Sequence, residues 1–121
     1  MKYEGIINFF VEELPEIRPI YNKVKELLED TLSPYVFCGT VLTPYIISKL
    51  NNNEEEKLKH IFSLLERLAI NNDEMIGGIL SLGILESLAN EREIIGIAKK
   101  YMLTNTKNIY DIIEIKGGWG T

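Results

Sequence analysis

The stretch NEEEKLKHIFSLLERLA, residues 53–69, places Leu58, Ile61, Phe62, Leu65, Leu68 and Ala69 on one helical face, with Lys57, Lys59, His60, Glu66 and Arg67 elsewhere. It is the clearest amphipathic helix in the chain. Asn53, with Glu56 three residues on, reads as an N-cap and its reciprocal acid. After Asn71-Asn72-Asp73 a second helix is expected from Asp73 to Ala89, and it is apolar nearly all round: Met75, Ile76, Ile79, Leu80, Leu82, Ile84, Leu85 and Leu88. A helix without a wet face must be covered on several sides, so this one should be central. Gly77, Gly78, Ser81 and Gly83 weaken it by propensity, and the expected compensation is close approach of neighbouring helices.

Working outward, helical spacing recurs on both sides. Ile6, Phe9, Phe10 and Leu14 sketch a short first helix that Pro15 interrupts. Ile17, Ile20, Tyr21, Val24, Leu27 and Leu28 form one face of a second helix from about Ile17 to Asp30, with Pro19 tolerated in its first turn. Ser33 to Thr40 is apolar but has no partner strand in sight, and an isolated strand is unstable. It is read as a buried loop or irregular helical turn leading into a helix from Val41 to Leu50. Asn90 with Glu93 suggests another cap before Ile94, Ile95, Ala98, Tyr101 and Met102, and Thr104 one before Ile109, Ile112 and Ile113. The expectation is an all-α fold of six or seven short helices, in a HEAT-like right-handed stack or a compact bundle. Residues 1–116 should form one domain, and Gly117 to Thr121 a mobile tail.

Composition fits this: 45% of the 121 residues are hydrophobic and 26% charged, an ordinary globular balance. The net charge of −5 is uneven, since residues 51–95 hold nine acids against four bases. Nucleic-acid backbones are bound by clustered Lys and Arg, and that signature is missing, whereas an acidic surface suits a basic protein partner. A single cysteine, Cys38, allows no internal disulfide and points to a reducing compartment. The N-terminus lacks an uninterrupted apolar stretch, and no run has the length of a membrane span. A cytoplasmic protein with no membrane association is expected.

Catalytic chemistry finds little to work with. His60 is the only histidine and is read as a surface residue, with Glu56 one turn before it. Cys38 is read as a small buried apolar residue. The glycines form no phosphate loop, so neither an enzyme nor a cofactor or metal site is expected. Acids at helix starts are explained by the helix dipole, and they also offer a partner-binding patch. Glu54, Glu55, Asp73, Glu74, Glu91 and Glu93 are the candidates, with the reservation that antiparallel neighbours would put consecutive starts at opposite ends. Trp119, flanked by glycines, is a further candidate either as a docking hook or as a seal for the core.

Leu14-Pro15-Glu16-Ile17-Arg18-Pro19-Ile20-Tyr21 and Ser33-Pro34-Tyr35-Val36-Phe37-Cys38-Gly39 resemble a family of small bacterial helical proteins. Its pattern reads PEL…Y, a helix, then P-[HY]-V-[FL]-x-G, and residues 62–68 and 82–88 resemble its second half. The resemblance runs from Leu14 to Met102 and extends to immunity proteins of contact-dependent or polymorphic toxin systems. It implies a protein that binds a toxin, such as a nuclease with a basic cleft, and occludes its active site. The family often has an acid after the glycine where this chain has Thr40, so no role of that acid is carried over. The alternative is a HEAT-like adaptor or scaffold module in a bacterial complex.

Overall fold

The computed structural model describes residues 1–117. Among them the chain forms seven helical rods and no strand. Rods one and two are α1 (Ile6–Glu13) and α2 (Arg18–Leu28). The third joins α3 (Pro34–Phe37) to α4 (Thr43–Asn51) through a π-helical turn, Cys38–Leu42. The fourth is α5 (Glu55–Ala69). The fifth joins α6 (Glu74–Gly78) to α7 (Glu86–Ala89) through a second π-helical stretch, Ile79–Leu85. Two more, α8 (Ile95–Tyr101) and α9 (Thr104–Gly117), complete the fold. Of the two expected arrangements the compact one forms, because α9 returns to pack on α5 and on the fifth rod.

Local chemistry sets most of the boundaries. Leu14 precedes Pro15 and is extended out of the helix (φ −125°, ψ 74°), which ends α1. The Ser33 hydroxyl accepts the Val36 N–H at 3.2 Å, and Pro34 occupies the first turn where its missing N–H costs least. Asp73 caps α6 by accepting the Met75 N–H at 2.8 Å. The irregular turn expected over residues 33–40 is helical, and the third rod therefore starts at Pro34 rather than Val41. Pro44 then sits inside a rod. Its ring would strike the Thr40 carbonyl in a regular α-helix, and the wide turn just before it, where the Thr43 N–H reaches back to the Cys38 carbonyl, relieves that clash.

Three expected caps do not form, Thr104 among them because it is already the first residue of α9. Asn53 has φ 52°, and its N–H bonds the Leu50 carbonyl at 3.3 Å, so it closes α4 rather than opening α5. Asparagine tolerates this left-handed conformation better than most residues. Glu54 holds the cap position of α5, without a capping side-chain bond. Asn90 likewise ends α7, and the Glu91 carbonyl accepts the N–H groups of Ile94 and Ile95 at 3.1 and 3.0 Å. That turn buries both isoleucines and delays α8 to Ile95.

The fifth rod is the centre of the core, as its composition demands: Ile76, Ile79, Leu80, Ile84, Leu85 and Leu88 are fully buried. Met75 and Leu82 are exceptions and stay exposed. The two π-helical segments pack against each other. A Cβ on Gly83 would lie 3.6 Å from the Cys38 Cβ, and one on Gly78 only 2.7 Å from the Tyr35 hydroxyl. Close approach thus explains Gly78, whereas Gly77 has open space beside it. At the other extreme, α2 has no fully buried residue. Its expected core face is only half covered, with Tyr21 edge-on to Phe37 at 5.9 Å and Leu27 78% exposed.

Glu66 of α5 anchors the last helix. Its Oε1 accepts the N–H and hydroxyl of Thr106, both at 2.9 Å. Its Oε2 accepts the Asn105 N–H at 3.0 Å and the Asn105 side-chain amide at 2.7 Å. The otherwise orphaned donors at the start of α9 are thus satisfied by a carboxylate from another helix, at the end where the helix dipole favours negative charge. Burial raises the Glu66 pKa, but the combined hydrogen bonds from Asn105 and Thr106 outweigh it and hold the carboxyl below its ordinary value.

A carboxylate bridge between two concavities

Pro15 turns the chain out of α1 and sets Glu16 in the short turn Pro15–Ile17. Tyr45 and Lys49 lie one turn apart on α4 and so share a face. The Tyr45 hydroxyl donates to Glu16 Oε2 at 2.9 Å, and Lys49 Nζ lies 3.4 Å from Glu16 Oε1. That ammonium also sits 5.1 Å from the centroid of the Tyr45 ring. From the start of α5, Lys57 approaches Glu16 Oε2 to 2.5 Å, and Glu54 accepts both Lys49 at 3.0 Å and Lys57 at 3.6 Å. Two acids and two lysines therefore alternate in a closed ring that ties three elements together.

The charges respond accordingly. The Lys57 ammonium, and then the Tyr45 hydroxyl, hold Glu16 down at about 2. Burial and the Glu16 carboxylate push the Tyr45 phenol well above its usual range. Lys49 is largely covered, its side chain 13% exposed, so its methylene stem lines the surface while the ammonium reaches the two acids. Cys38 lies elsewhere, fully buried, and burial pushes its thiol up to about 12. It stays protonated at neutral pH, as a small apolar core residue would.

The Tyr45–Glu16 bond is a wall shared by two concavities. One, of about 240 Å³, is lined by Glu13, Leu14, Pro15, Glu16, Tyr45, Glu56, Lys57 and His60. The other, of about 280 Å³, runs between α2 and α4 along Ile20, Thr40, Val41, Pro44, Ser48 and Lys49, with the same Glu16 and Tyr45. Each suits a single side chain better than a drug-sized ligand, which needs roughly 300–1,000 Å³. A broader opening of about 760 Å³ lies between the start of α5 and α8, with Glu55, Lys59, Lys100, Tyr101 and Leu103 among its walls. The ring and the first concavity present carboxylates over an apolar floor, a surface chemically suited to cations that carry a hydrocarbon stem.

The acids singled out in the sequence are scattered by comparison. Glu54 is spent within the ring, and Glu55 pairs with Lys59 at 3.3 Å. Asp73 is half-buried as a cap, with Glu74 exposed beside it, and both follow α5. Because α5 has 15 residues, they stand about 22 Å from Glu54 along its axis. Glu91 and Glu93 are exposed in the turn between α7 and α8. Trp119 lies outside the described residues. Sequence reasoning missed Glu16, Tyr45, Lys49 and Lys57 as a group. His60 is exposed, as expected, and its Nε2 donates to the Glu13 carbonyl at 3.1 Å on the border of the first concavity.

No group of His, Cys, Asp and Glu among the described residues is placed to hold a metal ion, and none of their helices is long and apolar enough to cross a membrane. Fold and site together define a small acidic helical bundle with side-chain-sized concavities around a carboxylate–lysine ring. Residues 7–117 match the family described as a domain of unknown function (DUF7674), and the chain belongs to that family. No curated protein and no solved structure matches it.

Proposed function

We propose that this is an immunity protein, acting in the cytoplasm by binding a basic bacterial toxin domain and covering its active site rather than by catalysis. The observation that carries the reading is the concavity lined by Leu14, Pro15 and Tyr45 beside the Glu16 ring, whose size and rim of Glu13, Glu16 and Glu56 suit a basic side chain on a protein surface. The net charge of −5 supports it, because an acidic surface speeds encounter with a basic partner. The resemblance of Leu14–Tyr21 and Ser33–Gly39 to small bacterial helical proteins of toxin systems points the same way. A nuclease is a natural candidate for the toxin, since its cleft must attract phosphates. The test is affinity capture of the tagged protein from its own cells. One stoichiometric partner, the C-terminal fragment of a large secreted protein whose toxicity the chain suppresses, supports the reading, and a housekeeping assembly overturns it.

A scaffold or adaptor role is the second reading, favoured by Ile112 and Ile115 of α9, which are 56% and 77% exposed. Those two side chains would then lie in a constitutive interface. Replacing both by lysine should release the partner under that reading and leave toxin binding intact under the first.

A further inference from the structure

The geometry points to the concavity between Leu14–Pro15 and the first turns of α5 as the seat of one lysine or arginine side chain of the partner protein. The inference rests on the reading of a basic protein partner and names where that partner is gripped. The floor, made by Leu14, Pro15 and Tyr45, is apolar and suits a methylene stem. Around it Glu13, Glu16 and Glu56 outnumber the single Lys57. Lys57 offers little to an incoming anion, since it is already held by Glu16 at 2.5 Å and by Glu54 at 3.6 Å. Glu13 and Glu56, in contrast, are held loosely, at 3.7 Å by Arg67 and 3.8 Å by Lys59. The side chain of Glu56 is also 89% exposed. An arriving cation can therefore take over these two carboxylates without dismantling the ring. The His60 bond to the Glu13 carbonyl holds that rim in place before anything binds.

The neighbouring concavities fit a basic side chain less well. The one along Ile20 and Pro44 has Lys49 at its edge, and the opening beside α8 carries two lysines against one glutamate. Only the first combines a stem-sized apolar floor with an excess of loosely paired carboxylates.

The test uses the intact protein and amide NMR shifts, with acetyl-lysine methylamide and acetyl-arginine methylamide as probes. Acetyl-norleucine methylamide is the uncharged control with a comparable stem. Both cationic probes should shift the amides of Leu14, Glu56 and His60 at millimolar concentration, about threefold more than norleucine does. Glu13→Gln with Glu56→Gln, which keep shape but lose charge, should weaken the cationic probes by roughly fivefold. Equal shifts from charged and uncharged probes, shifts centred on Lys100 and Leu103, or no shifts up to about 50 mM would overturn the seat. The toxin captured above provides the second arm, where Glu56→Lys should cost about tenfold or more in affinity and Glu74→Lys little. Toxin binding that ignores Glu56→Lys removes the seat from the interface while the immunity reading stands. Selective probe binding in a protein that captures no toxin upholds the seat and sinks the immunity reading.

Discussion

Glu16 and Glu66 both sit below the ordinary carboxylate range, yet they are held by different kinds of donor. Glu16 is met chiefly by side chains on flexible stems, Lys57 and Lys49, with the Tyr45 hydroxyl as its one neutral partner. Its own side chain remains 45% exposed. Glu66 is met by two backbone N–H groups and two short side chains, all belonging to consecutive residues at the start of α9. Fixed donors lose almost no freedom when they bind a carboxylate, whereas long ammonium side chains must be immobilised and remain screened by salt. The Glu66 arrangement should therefore hold the fold together, and the Glu16 arrangement should stay adaptable at the surface.

The sharpest way to break this contrast is Glu66→Ala. It strands the fully buried Thr106 hydroxyl and uncaps α9, and it should cost about 2–4 kcal/mol in urea or thermal unfolding. A loss below about 0.5 kcal/mol would show that α9 docks by its apolar face alone. Glu16→Gln should cost less, on the order of 1 kcal/mol, and that cost should shrink markedly in about 1 M salt. A salt-insensitive cost would instead assign the stability to the Tyr45 bond.

Acid sharpens the comparison further. A carboxyl whose folded pKa is depressed stabilises the fold fully above its unfolded value, and that contribution is lost as pH falls toward the folded value. For Glu16 the window runs from 4.5 down to about 2. Urea melts across it should show stability falling with acid, and Glu16→Gln should have a shallower fall than the parent chain. The smallest effect is expected at Tyr110 of α9, whose buried hydroxyl meets no partner at hydrogen-bonding geometry among the described residues. Tyr110→Phe should be neutral or slightly stabilising, within about 0.5 kcal/mol, because it removes a buried group that gains nothing from folding. A clear loss would mean that the hydroxyl finds the neighbouring Glu114 carboxylate in solution.

Local grammar made the helices legible. Pro15 ended α1, Asp73 capped α6, and the stripe from Leu58 to Leu68 buried itself as its spacing requires. The wide turns were hidden, because their hydrogen-bond register answers to contacts such as Gly83 against Cys38. Asparagines misled for a related reason: the same side chain that suits a helix start also tolerates the left-handed exit that Asn53 adopts. The Glu16–Tyr45 and Glu66–Thr106 pairs span 29 and 40 residues, and no periodicity within one helix encodes such a meeting. Acids at helix starts were visible precursors of local pairing, but the ring needed the third rod to bring Tyr45 and Lys49 across to Glu16.

The π-helical turn at Cys38–Leu42 also acts as a phase setter. Such a turn holds about one residue more than the α-helix it replaces, and one residue is about 100° of rotation. Everything after it is indexed to that offset. Deleting Gly39, which is exposed and touches nothing at its Cβ position, would remove the extra residue and bring the Pro44 ring back against the Thr40 carbonyl, kinking the rod there. It would also swing Tyr45 and Lys49 away from Glu16 together, erasing the shared wall without altering any residue that builds it.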